Sequence, residues 1–225
     1  MKDKLFSIGK LIIGILIIFV ITVFTTGIGL GVSESVSIPF VLEASQFIGF
    51  ILGSLVAIYA FDVPIQAHKP TKEELKFGGA VLFTSILLAV LLSFLVSLFN
   101  ITPPQNTVSE TLTSGSQLVV VGFILLNFLF VGPAEEIVFR GYIQSQLKES
   151  MTVHASIIGS SGLFAIAHLP AMASGELLSM SLYLVILLAI GGLLGFSYEK
   201  TQNLVIPILI HACYNSVSAL PYLFG

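Results

Sequence analysis

The sequence predicts an all-α protein, a polytopic transmembrane bundle of about seven helices, or eight, around a polar cavity within the membrane. Three observations carry this. Hydrophobic residues make up 56% of the chain and charged residues only 9%, against about 25% charged in an ordinary soluble domain. Mean hydropathy is +1.03, so water would not solvate the surface and the bilayer is the solvent that fits. The apolar residues also gather in runs close to the roughly 20 that a helix needs to cross the hydrocarbon.

The runs are Leu11–Leu30, Leu42–Phe61, Phe77–Phe99, Leu118–Phe139, Val153–Ala167, Leu177–Phe196 and Leu204–Leu220. The fifth is short, and the second holds Glu43 and Gln46 near its start. Lys2, Lys4 and Lys10 before the first run give the look of a signal peptide. The run is long enough to span and no small-x-small cleavage site follows, so a retained signal anchor is expected. Thr71 followed by Glu73 and Glu74 predicts a short capped interfacial helix leading into the third run. The stretch 100–116, rich in Pro, Ser and Thr, reads as a loop. No internal repeat and no soluble domain is visible, so residues 1–225 are expected to form a single transmembrane domain.

Charge orients the bundle. With seven spans and the N-terminus in the cytoplasm, all 9 Lys and Arg residues fall on the cytoplasmic side. The opposite loops carry only acids, Glu34, Glu110 and Glu176, as the positive-inside rule requires. A multi-pass location is expected, in the plasma membrane if the cell is prokaryotic. The net charge of −3 and the lack of a basic patch exclude nucleic acid as a partner. The single cysteine, Cys213, excludes an intrachain disulfide.

Ionisable groups inside a bilayer are costly and mark function. The fourth run ends with Glu135, Glu136 and Arg140, the fifth reaches His168, and the seventh holds His211 and Asn215. Glu136 and Arg140 are four apart, glutamate first, the spacing of a helical ion pair. Glu135 is rotated about 100° from Glu136 on a regular helix, which leaves it free to face a cavity. His211 and Asn215 share a face, as do Phe164 and His168. Each feature alone has a plain structural explanation: a neutralised pair, a satisfied core histidine, an asparagine binding helices together. Their convergence on three helices favours a site. Cys213 lies two residues from His211 and from Asn215, about 200° around the helix from each, and reads as a small buried residue rather than a nucleophile.

EEIVFR (Glu135–Arg140), FAIAH (Phe164–His168) and HACYN (His211–Asn215) occur in that order. In this the chain resembles the CAAX prenyl endopeptidase and bacteriocin-processing (CPBP, Abi) family of intramembrane proteases. The likeness covers residues 131–216; the first three runs show nothing diagnostic. Family members often have eight helices. The resemblance implies an endopeptidase acting on a lipidated, prenylated or membrane-tethered peptide. Glu135 would be the general base on a water that His168 helps to hold. His211 and Asn215 would stabilise the oxyanion, and Glu136 with Arg140 would support the site. No cofactor is implied. Zinc is the rival, since two histidines and a glutamate could leave an open position; HExxH is absent and the histidines sit on different helices. The alternative function is a non-enzymatic membrane regulator or bacteriocin immunity protein of the same fold. A proton-coupled transporter ranks third, without inverted repeats to support it.

Overall fold

The computed structural model describes residues 2–35, 40–101, 112–113, 115–172 and 176–224. Glu110, expected in an external loop, lies outside the described residues. The helices are α1 (Lys2–Ser35), α2 (Val41–Ala60), α3 (Lys72–Leu98), α4 (Gln117–Lys148), α5 (Val153–Ala167), α6 (Leu177–Thr201), α7 (Val205–Ala219) and the single turn α8 (Pro221–Phe224). Five of them, α1, α2, α3, α4 and α6, are long and apolar enough to cross a membrane. The fold is thus a polytopic helical bundle. α5 and α7 have 15 residues each, about 22 Å of helix against a hydrocarbon core of about 30 Å. These two short helices carry His168 and His211.

Local sequence accounts for the boundaries. Thr71 accepts from the Glu74 N–H while the Glu74 carboxylate accepts from the Thr71 N–H, a complete capping box. This corrects one expectation: the turn after Thr71 is no separate interfacial helix but the first turn of α3. The box satisfies helix N–H groups that would otherwise be orphaned, so nothing interrupts the helix before its apolar run. Thr152 caps α5 through the Ala155 N–H. α5 stops at His168 because Pro170 offers no N–H and disfavours helical geometry at Leu169. α6 ends at Gln202 in the left-handed region, φ 48°.

A second correction concerns α4. The apolar run ends at Phe139, yet the helix continues to Lys148. Its polar residues do not end it because α6 supplies their partners. Arg140 donates to the Gly191 carbonyl at 2.9 Å and Gln144 to the Gly195 carbonyl at 3.1 Å, while Lys148 pairs with Glu199 at 2.8 Å. Residues four apart on one helix therefore meet residues four apart on the other. Glycine at 191 permits the approach of α5, where a Cβ would come within 3.1 Å of Ser161. Glycines also join α1 and α2: a Cβ on Gly53 would sit 2.7 Å from the Ile18 Cα, and one on Gly49 2.7 Å from the Thr22 Cα. Without a hydrophobic drive between helices in lipid, such close backbone packing is what holds them together.

α4 is not a regular helix. It widens into π turns at Asn127–Val131 and Ile137–Gln144. Pro133 lacks an N–H and its ring would clash with the carbonyl four residues earlier. The first wide turn passes that point, with the Gly132 N–H bonded to the Asn127 carbonyl. Apolar side chains of α1, α2, α4 and α5 form one core around Phe139, Tyr142 and Phe164. Those of α3, α6 and α7 form another around Leu194, Ile206 and Ile210. Large apolar side chains on the outside, such as Phe19, Phe24, Phe83 and Phe94, face where lipid would be. At one end, Tyr142 donates to the Lys10 carbonyl, Lys10 lies 4.0 Å from Glu149, and buried Asn203 clasps the His68 backbone. Lys148 of α4 pairs with Glu199 of α6 there as well.

Candidate active site

α4, α5 and α7 converge so that Glu135, Glu136, Arg140, His168 and His211 form one connected cluster. Glu136 is its anchor. The residue is wholly buried, as is Arg140. Its Oε1 accepts from Arg140 Nη1 at 2.8 Å and from His211 Nδ1 at 2.7 Å. One carboxylate oxygen thus ties α4 to itself and to α7, and the other Arg140 arm ties it to α6. Arg140 also lies over the Phe164 ring, 5.0 Å from its centroid. Phe164 in turn packs against His168 (4.6 Å between rings) and His211 (5.8 Å). The aromatic ring therefore sets the spacing of the two imidazoles.

Glu135 points elsewhere. Its Oε2 is buried and has no hydrogen-bond partner among the described residues. It lies 3.6 Å from His211 Nε2 and 3.9 Å from His168 Nε2, too far for direct hydrogen bonds of good geometry. His168 Nδ1 is 2.8 Å from the Phe164 carbonyl. A carbonyl only accepts, so Nδ1 carries a proton and Nε2 is the atom turned to Glu135. His211 likewise commits Nδ1 to Glu136 and turns Nε2 to Glu135. The carboxylate therefore faces two ring nitrogens across gaps that a small molecule can fill.

Glu135 and His168 line a cavity of about 420 Å³ between α1, α2, α4 and α5. Its remaining walls include Ile15, Ile18, Phe47, Phe50, Val138, Phe139 and Ile143, with Gln46 as the other polar contributor. Ile143 lies two turns along α4 from Glu135, so the polar groups mark one end and an apolar chamber extends from them.

Asn215 lies one turn beyond His211, and its side-chain N–H group donates to Asn127 Oδ1 at 3.0 Å. Asn127 did not stand out in the sequence, where it is a single amide in an apolar run. Gln144 and Glu199 also bind the lower part of α4 to α6; the four-residue spacing of Arg140, Gln144 and Lys148 matches that of Gly191, Gly195 and Glu199 but signals nothing until the helices are paired. Cys213 is half-buried on α7. Among the described residues no group of three or more His, Cys, Asp or Glu is placed to hold a metal ion.

Residues 117–217, from the start of α4 nearly to the end of α7, match the family described as type II CAAX prenyl endopeptidase Rce1-like. All five residues of the cluster, together with Asn127 and Asn215, fall inside that segment. No curated protein and no solved structure matches the chain. Through the helices that carry the site, the chain is thus similar to the Rce1-like family of type II CAAX prenyl endopeptidases.

Proposed function

We propose that the protein hydrolyses a peptide bond in a lipidated or membrane-tethered peptide, using a water activated by Glu135 and no metal. The observation that carries this is the unpartnered Glu135 Oε2 facing His168 Nε2 at 3.9 Å at the polar end of an apolar cavity. A water has two protons to donate, and these are two acceptors; a separation of 3.9 Å is spanned by one water with two hydrogen bonds of about 2.8 Å. Glu135 removes one proton as the water oxygen attacks the scissile carbonyl carbon. The oxyanion forms toward α7, where His211 Nε2 and the second side-chain N–H of Asn215 serve as donors. For Nε2 to donate, the His211 ring carries both protons, and the Glu136 carboxylate on Nδ1 balances that charge. Each such donor contributes about 2.7–4 kcal/mol to the transition state. Glu135 then passes its proton to the leaving amine, completing hydrolysis without a covalent intermediate. The apolar chamber fits a hydrophobic anchor or side chain of the substrate beside the scissile bond.

The test is turnover of a membrane-tethered peptide by purified protein in liposomes. Glu135→Gln keeps shape and removes the base, so hydrolysis should fall by about 10²–10⁴-fold with an unchanged melting temperature. A strong chelator should leave wild-type activity intact. Full activity of Glu135→Gln would overturn the mechanism, and chelator-sensitive activity restored by zinc would replace it with a metal-dependent one.

A further inference from the structure

We infer that Asn127 is a positioning residue for the hydrolytic site, holding the amide of Asn215 in the orientation that presents its N–H groups. The inference rests on the reading of Asn215 as an oxyanion donor. Asn127 is 1% exposed, at the start of the first wide turn of α4. Its Nδ2 donates to the Phe123 carbonyl at 2.8 Å. Because that carbonyl can only accept, the opposite face of the amide must be Oδ1, and it is Oδ1 that meets Asn215 Nδ2 at 3.0 Å. A backbone carbonyl one turn up α4 thereby decides which way round both side-chain amides stand. Reversing Asn215 would set two carbonyl oxygens against each other. With one Nδ2 proton bonded to Asn127, the second is aimed by a fixed amide plane.

The geometry of α4 supplies the reason for this arrangement. The Asn127 carbonyl accepts from the Gly132 N–H, five residues on, so the side chain sits at the turn that carries the helix past Pro133. A Cβ at Gly132 would come within 3.2 Å of both Ala212 and the Ile208 carbonyl. α4 and α7 therefore pack closely near this pair, within reach of the Asn127–Asn215 hydrogen bond. An asparagine serving only to bind two helices would affect stability. One that orients a donor affects turnover, and only through that donor.

The experiment compares wild type, Asn127→Ala, Asn127→Leu, Asn215→Ala and the double variant Asn127→Ala/Asn215→Ala in liposomes with the same tethered peptide, alongside melting in detergent. Leucine at 127 preserves the packing volume without an acceptor, so a folded protein is available even if alanine leaves a damaging void. Both single changes at 127 should lower kcat by about tenfold to a hundredfold with KM within about twofold. The double variant should be no slower than Asn215→Ala alone, the signature of two residues acting as one unit. Full kcat in both Asn127 variants while Asn215→Ala is impaired would overturn the inference and leave the hydrolytic reading standing, as would losses that multiply in the double variant. A wild type without hydrolysis would defeat that reading, and this inference with it.

Discussion

Glu136 makes its contacts through one oxygen, which receives the Arg140 guanidinium and the His211 ring together. The Oε2 of its neighbour Glu135 has no hydrogen bond among the described residues and only faces the His211 and His168 rings, at 3.6 and 3.9 Å. Adjacent carboxylates thus have different surroundings, one bonded to Arg140 and His211, the other facing the cavity. The consequence is testable by stability alone. Removing one partner of a buried pair strands the other charge, at about 3–5 kcal/mol in soluble proteins. Glu136→Gln and Arg140→Ala should therefore both lower the yield of folded protein and its melting temperature in detergent, while Glu135→Gln should not. Equal melting of all three variants would mean that Glu136 does not anchor the site. Cys213→Ser should leave both stability and activity close to wild type.

At the scale of the element, α4 and α6 show how a polar helix end is accommodated in the bundle. Arg140, Gln144 and Lys148 meet Gly191, Gly195 and Glu199 in register, and Gly191 lets α5 close on the same face. A Cβ on Gly191 would meet Ser161 at 3.1 Å, with that residue's backbone 3.3 Å away, whereas one on Gly192 would meet nothing within 4 Å. Gly191→Ala should thus cost about 1–3 kcal/mol through overpacking, and Gly192→Ala should be neutral or mildly stabilising, since alanine favours helix. Thermal melting of the two variants decides it, and matching behaviour would argue against close packing at 191. The motif spacing of the site was legible in the sequence because residues four apart are neighbours on a helix face, and Glu136 and Arg140 remain so although a wide turn begins at Ile137. The Asn127–Asn215 contact was not. It depends on π turns in α4, and steps of about 100° per residue do not foresee where a helix widens.

For the whole molecule, the ion pairs Lys10–Glu149 and Lys148–Glu199 place basic residues of α1 and α4 at one end of the bundle, beside the end of α6. Under the positive-inside rule we propose that this end is cytoplasmic. Single cysteines at positions 72 and 110 in a Cys213→Ser background should then label from opposite sides of intact cells, position 110 from outside. Labelling of position 72 from outside would reverse the topology.

Composition and run length by themselves determined that the chain is a membrane-spanning helical bundle, because a surface this apolar has no other solvent and a helix is the way a single chain segment satisfies its backbone in lipid. The spacing within three short motifs determined which residues would share a helix face. Tertiary structure alone decided how: that Glu136 and not Glu135 takes the Arg140 and His211 bonds, that His168 spends its Nδ1 on Phe164, and that α4 continues through its polar end to Lys148. The physical reason is that a buried polar group goes where a partner is within about 3 Å, and partners on other helices have no fixed sequence separation. Arg140 finds its carbonyl 51 residues away and Asn215 its amide 88 residues away, distances along the chain that become contacts only once the helices are packed.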